Sequence, residues 1–175
     1  MLISISTTAQ ITKGNWMVGG NASYNSNTNS LNDSQAVKSS TIIVNPNFGY
    51  FLFDKFASGI KTGFITYFRK DSPDETGYNF GPYLRYYFLK QVKVVNLFLE
   101  GNYFYGKYNT VNSAVTNSYG FTAGPVIFLN SSVAIELGLN YSKLVSKQDI
   151  GFNQKNDQSN FNVLIGFQIH LEKEK

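Results

Sequence analysis

Cysteine is absent from this 175-residue chain and histidine occurs once. Disulfides and thiolate metal sites are therefore excluded, and His170 has no second imidazole with which to share a metal. Charge is scarce as well. Asp, Glu, Lys and Arg make up 15% of the residues, where an ordinary water-soluble domain carries about a quarter. The net charge of +4 is spread along the chain without a basic stripe, so nucleic acid is not an expected partner. There is no apolar run of the roughly 18 residues that a transmembrane helix needs. No nucleophile–base pairing and no glycine-rich phosphate loop stands out, so the chain is read as a non-enzyme without cofactor. The acidic stretch Asp71, Asp74 and Glu75 is read as a solvated loop.

Aromatic residues are abundant, at 16%, and their arrangement is regular. In the run 161–171, Phe161, Val163, Ile165, Phe167, Ile169 and Leu171 alternate with Asn162, Leu164, Gly166, Gln168 and His170. A period of two sends successive side chains to opposite faces of a sheet. The same pattern recurs over about 14–25, 40–52, 56–68, 78–88, 94–106, 117–129 and 133–145. Eight strands are expected, joined alternately by long polar connections and tight turns. The long ones fall at about 26–39, 69–77, 107–116 and 147–159. All long connections then lie at one end of the molecule, and the tight turns and both termini at the other. This asymmetry belongs to transmembrane barrels of the outer-membrane type, with mean hydropathy low (−0.19 here) because only alternate residues meet lipid.

A soluble lipocalin-like, lipid-binding barrel would show the same alternation with the apolar face inward. The small-residue face decides between the two. It carries Asn, Ser, Thr and Gly, and in mid-strand only Lys61, Arg85, Glu100 and Glu136 are charged. Two cations and two anions at similar height suit a packed lumen, where an unpaired charge costs several kcal/mol. Gly59, Gly63, Gly81, Gly106, Gly120, Gly124, Gly138 and Gly166 are expected to make room there for the long side chains, Tyr83 and Tyr87 among them. Trp16, Tyr24, Tyr50, Tyr78, Tyr86, Tyr105, Tyr119 and Tyr141, near run ends, are read as an interfacial aromatic girdle. Pro46, Pro82 and Pro125 sit on the large-residue face shortly before tight turns. Proline cannot donate to a ladder, so local bulges are expected at these three places.

Two segments carry a resemblance. Phe80-Gly81-Pro82-Tyr83-Leu84-Arg85-Tyr86-Tyr87-Phe88 and the opening Asn15-Trp16-Met17-Val18-Gly19-Gly20 resemble strands of the small outer-membrane β-barrel proteins common in Bacteroidota, related in shape to OmpA/OmpX barrels. Ala9-Gln10 is similar to their signal junction. Residues 1–9 are accordingly read as a truncated signal-peptide remnant, the alternative being an ordinary short strand end. Residues 14–171 are read as the barrel and 172–175 as a charged tail. The resemblance implies an eight-stranded antiparallel up-and-down transmembrane β-barrel in the bacterial outer membrane. Its expected partners are outer-membrane lipid, the barrel-insertion machinery and an extracellular partner met through the loops, and it is expected to be monomeric. The chain departs from the pattern at its end, where Glu-Lys-Glu-Lys follows Leu171; Phe167 is then the aromatic available to the insertion machinery. The expected role is surface interaction, adhesion or envelope integrity around a plugged, charge-paired lumen. A small pore or transporter for ions or small solutes stays open as the alternative.

Overall fold

A computed structural model describes residues 11–29, 37–69, 73–90, 93–109, 114–149 and 153–172. The stretch 1–9 read as a signal remnant, and 173–175 of the tail, lie outside the described residues. The fold is all-β. Eight strands, β1 (Trp16–Asn29), β2 (Val37–Phe53), β3 (Phe56–Arg69), β4 (Glu75–Tyr87), β5 (Val95–Asn109), β6 (Ala114–Phe128), β7 (Val133–Asp149) and β8 (Asn153–Leu171), pair antiparallel in chain order. β8 returns to β1 and closes an up-and-down barrel.

The apolar face points outward. Phe161, Val163, Ile165 and Phe167 are all more than half exposed, whereas Arg85 and Glu100 are buried at 2% and 0%. The outward residues of β8 from Phe161 to Leu171 cover about 25 Å of height at about 3.3 Å per residue and a tilt near 40°. The Asp54-Lys55 turn takes the chain from β2 into β3, with Lys55 in the left-handed region at φ 66°. A tight turn over residues 129–132 joins β6 to β7, with the Leu129 N–H donating to the Val133 carbonyl at 2.8 Å.

Two expectations are corrected. The polar stretches expected as long loops are in good part strand. β1 runs on to Asn29 and β2 starts at Val37; β4 starts at Glu75; β7 continues to Asp149, opposite Asn153 of β8. Ladder hydrogen bonds are made by the backbone whatever the side chain. Hydrophobic alternation reports only which residues leave water, so it stops where the apolar belt stops and the paired ribbons do not. A diagonal ion pair, Lys143 Nζ to Asp157 Oδ2 at 3.6 Å, spans one such ribbon.

The second correction concerns the prolines. No bulge forms at any of them: the register is the same on either side of Pro46, Pro82 and Pro125. The ladder instead skips two residues, always toward the strand reached through the next tight turn. The skipped pairs are Asn45-Pro46 on β3, Gly81-Pro82 on β5 and Gly124-Pro125 on β7. On its other side each proline keeps its neighbour, as in Ile60↔Pro82 and Leu97↔Pro125. The missing donor is thus absorbed by a local break without an extra residue. The carbonyl oxygens of Tyr103 and Leu137, opposite Pro82 and Pro125, crowd the places where a Cβ would stand on Gly81 and Gly124. Glycine before proline is what lets those strands stay close.

Candidate functional site

The interior divides into three levels. At the short-turn end the barrel is filled with apolar side chains, including Met17, Phe51, Ala57, Tyr87, Val126 and Phe128, all nearly inaccessible. The chain preceding β1 completes this floor. Ile11 is fully buried and its carbonyl accepts from the N–H of Lys55 at 2.8 Å. Gly14, at φ 94°, turns the chain into β1 while its N–H donates to the carbonyl of Phe51 at 2.9 Å. Sequence patterning missed Ile11, because a single residue before a strand has no period to report it.

His170 belongs to this level. Its ring lies 5.4 Å from Phe128, 5.8 Å from Phe51 and 6.2 Å from Tyr87, centre to centre. Neither ring nitrogen has a hydrogen-bonding protein partner. Among the described residues no group of three His, Cys, Asp or Glu is placed to hold a metal.

Directly above the floor lies the charge network. β3 supplies Lys61, β4 Arg85, β5 Glu100 and β7 Glu136, and all four side chains are buried. Lys61 pairs with Glu100, and Arg85 pairs with both Glu100 and Glu136. Arg85 presents Nε and Nη2 to Glu100 Oε2 at 2.9 and 2.7 Å, and its Nη1 donates to the Tyr87 hydroxyl at 3.2 Å. Its guanidinium stacks 4.6 Å above Phe98. Such planar, multidentate geometry is what guanidinium offers and ammonium does not.

Neutral residues extend the network around the lumen. Gln168 Nε2 donates to Glu136 Oε2 at 3.3 Å, and Asn47 Nδ2 to Gln168 Oε1 at 3.2 Å. Asn47 and Gln168 were legible only as members of the polar face; nothing in the alternation singles them out. Tyr83 leans over Gly49 and Gly59, whose missing Cβ atoms leave space for its ring and hydroxyl. Lys61 Nζ sits 5.2 Å from that ring. The two positive and two negative side chains are therefore mutually neutralised, at a level where β2, β3, β4, β5, β7 and β8 each bring a side chain into the linkage.

The third level is a cup open toward the opposite end, about 380 Å³ in volume. Asparagine dominates its wall, with Asn21, Asn45, Asn79, Asn102, Asn140 and Asn162, and Lys61 lies at its base. Asn45 Nδ2 bonds Asn21 Oδ1 at 2.9 Å, and Asn140 Nδ2 bonds Thr122 Oγ1 at 2.9 Å. Among the described residues, Lys61, already paired, is the one charged side chain lining the cup.

Outside, the expected girdle residues all leave the barrel wall. Trp16, Tyr50 and Tyr86 lie close to the short-turn end of β1, β2 and β4. Tyr24, Tyr78, Tyr105, Tyr119 and Tyr141 stand farther along their strands and are more than two-fifths exposed. Trp16 stacks on Phe48 at 4.9 Å and meets Tyr50 at 4.7 Å. Tyr103 joins the outward set, its hydroxyl donating to Asn117 Oδ1 at 2.5 Å.

No family model and no curated protein matches the sequence. Among solved structures the chain is similar to Neisserial surface protein A, at 13% identity and a TM-score of 0.59, with 90% of this chain and 97% of that one covered. It is also similar to the outer membrane protein OprG from Pseudomonas aeruginosa, at 14% identity and a TM-score of 0.54, with 94% and 100% covered. At such identities the likeness is one of fold: a closed eight-stranded barrel shared with proteins of the outer membrane.

Proposed function

We propose that this chain is an integral outer-membrane barrel of closed lumen that works by interaction at the cell surface or by supporting the envelope. One observation carries the reading: large apolar side chains cover the outside while Lys61, Arg85, Glu100 and Glu136 are neutralised inside. That inversion is stable in hydrocarbon and unfavourable in water. The neighbours' location supports the same placement. In this reading the aromatic rows around Trp16 and Tyr119 meet the two membrane interfaces. The paired ribbons, such as the one closed by Asp149↔Asn153, then stand outside the cell and meet partners. The likeness of 80–88 to small Bacteroidota barrels fits this placement, and binding rather than catalysis is the expected mode of action.

An eight-stranded barrel is just wide enough for its own side chains, and the floor of Ile11, Met17, Phe51 and Phe128 sits below the charge network. Steady conduction is therefore not expected. The test is reconstitution into vesicles with heat-dependent gel mobility, followed by planar-bilayer recording. Boiling-sensitive mobility and protease cleavage confined to the ribbons are expected, without steady openings. Persistent single-channel steps abolished by Arg85→Ala would replace this reading with a pore. Quantitative recovery as a detergent-free soluble monomer would remove the membrane altogether.

A further inference from the structure

The seam that closes the barrel is short. β1 and β8 pair over seven residues, from Trp16↔Leu171 to Ala22↔Ile165, although β1 continues to Asn29 and β8 begins at Asn153. The flanking seams go much farther: β1–β2 to Asn29↔Val37, and β7–β8 to Asp149↔Asn153. Seven paired residues rise about 15 Å at a tilt near 40°. The outward apolar belt is about 25 Å tall by the same arithmetic, so the strands part within the belt.

A cavity of about 400 Å³ occupies the gap. Its inner lip is Ser23, Asn25 and Asn162, which also line the asparagine cup. Its outer lip is Tyr24, Phe161, Val163 and Ile165. Phe161 at 68%, Ile165 at 66% and Tyr24 at 65% are the most exposed large apolar side chains among the described residues. One slot thus leads from a polar, amide-lined interior to the most exposed apolar side chains of the outer wall. Among the described residues no Asp, Glu, Lys or Arg lines it. Backbone groups left unpaired at this depth require a hydrogen-bonding partner, because hydrocarbon offers none.

We propose that the β1–β8 slot is a lateral binding site for a single-chain amphiphile with a small uncharged hydroxyl-bearing head, of the monoacylglycerol class. The acyl chain lies along Phe161, Val163 and Ile165. The head enters between Ser23, Asn25 and Asn162, where amides and hydroxyls both donate and accept. An anionic or cationic head finds no counter-charge there. The assignment rests on the membrane placement argued above.

The chain has no cysteine, so Asn25→Cys/Asn162→Cys introduces the only two thiols. Continued at the register of its paired part, the seam would place these two positions opposite each other, and a disulfide would lock the slot shut. The probe is monoolein, added to protein released from phosphatidylcholine nanodiscs and weighed by native mass spectrometry. One monoolein per barrel is expected, with at least tenfold weaker retention of lysophosphatidylglycerol. Oxidising the double variant should remove the adduct and reduction should restore it. Asn162→Trp, which fills the inner lip without cross-linking, should cut retention at least tenfold. Heat-dependent mobility, read on every sample, separates the two ideas. An inserted, heat-modifiable barrel that retains no monoolein, or retains it equally when cross-linked and in Asn162→Trp, overturns the slot alone. A dimer held through the open edge in place of the adduct also overturns it. Loss of heat-dependent mobility in the unaltered protein overturns the membrane placement and the slot together.

Discussion

At the residue scale, Arg85 is the side chain on which most of the interior depends, because it neutralises two carboxylates at once. Arg85→Met leaves Glu136 without a cation and Glu100 with Lys61 alone. Removing one partner from a buried pair typically costs about 3–5 kcal/mol. We expect a loss of that size in urea titrations followed by heat-dependent mobility. Arg85→Met/Glu136→Gln should recover a large part of it, since the Lys61–Glu100 pair and the Gln168 contact both survive. Equal losses in the single and double variants would show that packing, and not charge, governs the site. His170 makes the opposite case. Its two ring nitrogens are buried with no protein partner, and an unsatisfied buried polar group costs about 1–3 kcal/mol. His170→Leu should therefore raise the urea midpoint; a lowered midpoint would show that the ring's contacts with Phe51 and Phe128 outweigh its unpaired nitrogens.

At the scale of the element, the glycine–proline pairs make strands β4 and β6 tolerate a break that a sheet ordinarily avoids. Gly81→Val drives a side chain into the Tyr103 carbonyl, and overpacking of this kind costs about 1–3 kcal/mol. Pro82→Val, which only returns a donor to the ladder, should fold as well as the parent; the comparison is read as folded yield in detergent. These breaks also mark the limit of what was legible in the residues. Alternation along 161–171 located a strand and its faces, because a wall that is apolar outside and polar toward the lumen forces a period of two. The balance of Lys61, Arg85, Glu100 and Glu136 pointed to a shared level, because burial leaves charges no other solution. Alternation is silent about backbone pairing beyond the apolar belt, so the ribbon residues 147–149 and 153–159 read as loop. It is equally silent about how a strand absorbs a proline, and about a plug residue such as Ile11 that belongs to no strand.

At the scale of the whole molecule, the three interior levels separate stability from contact. The apolar floor and the charge level bind the strands together, while the cup above them is open and lined largely by amides and hydroxyls, with Lys61 at its base. Substitutions in the cup wall should then be mild. Asn102→Ser or Asn140→Ser is expected to change the unfolding free energy read from urea titration by no more than about 1.5 kcal/mol, the upper worth of one ordinary hydrogen bond. A loss comparable with Arg85→Met would mean that the cup carries the fold as well.

Closure in an even number of antiparallel strands brings Leu171 back beside Trp16, so a chain that sets out from one rim of the wall must finish at that rim. The far ends of the hairpins, such as the pair Asp149↔Asn153, lie at the other rim. An epitope grafted there and a tag placed after Glu172 would be displayed on opposite faces of a vesicle, and antibody access to each in sealed and in lysed vesicles would read the sidedness directly.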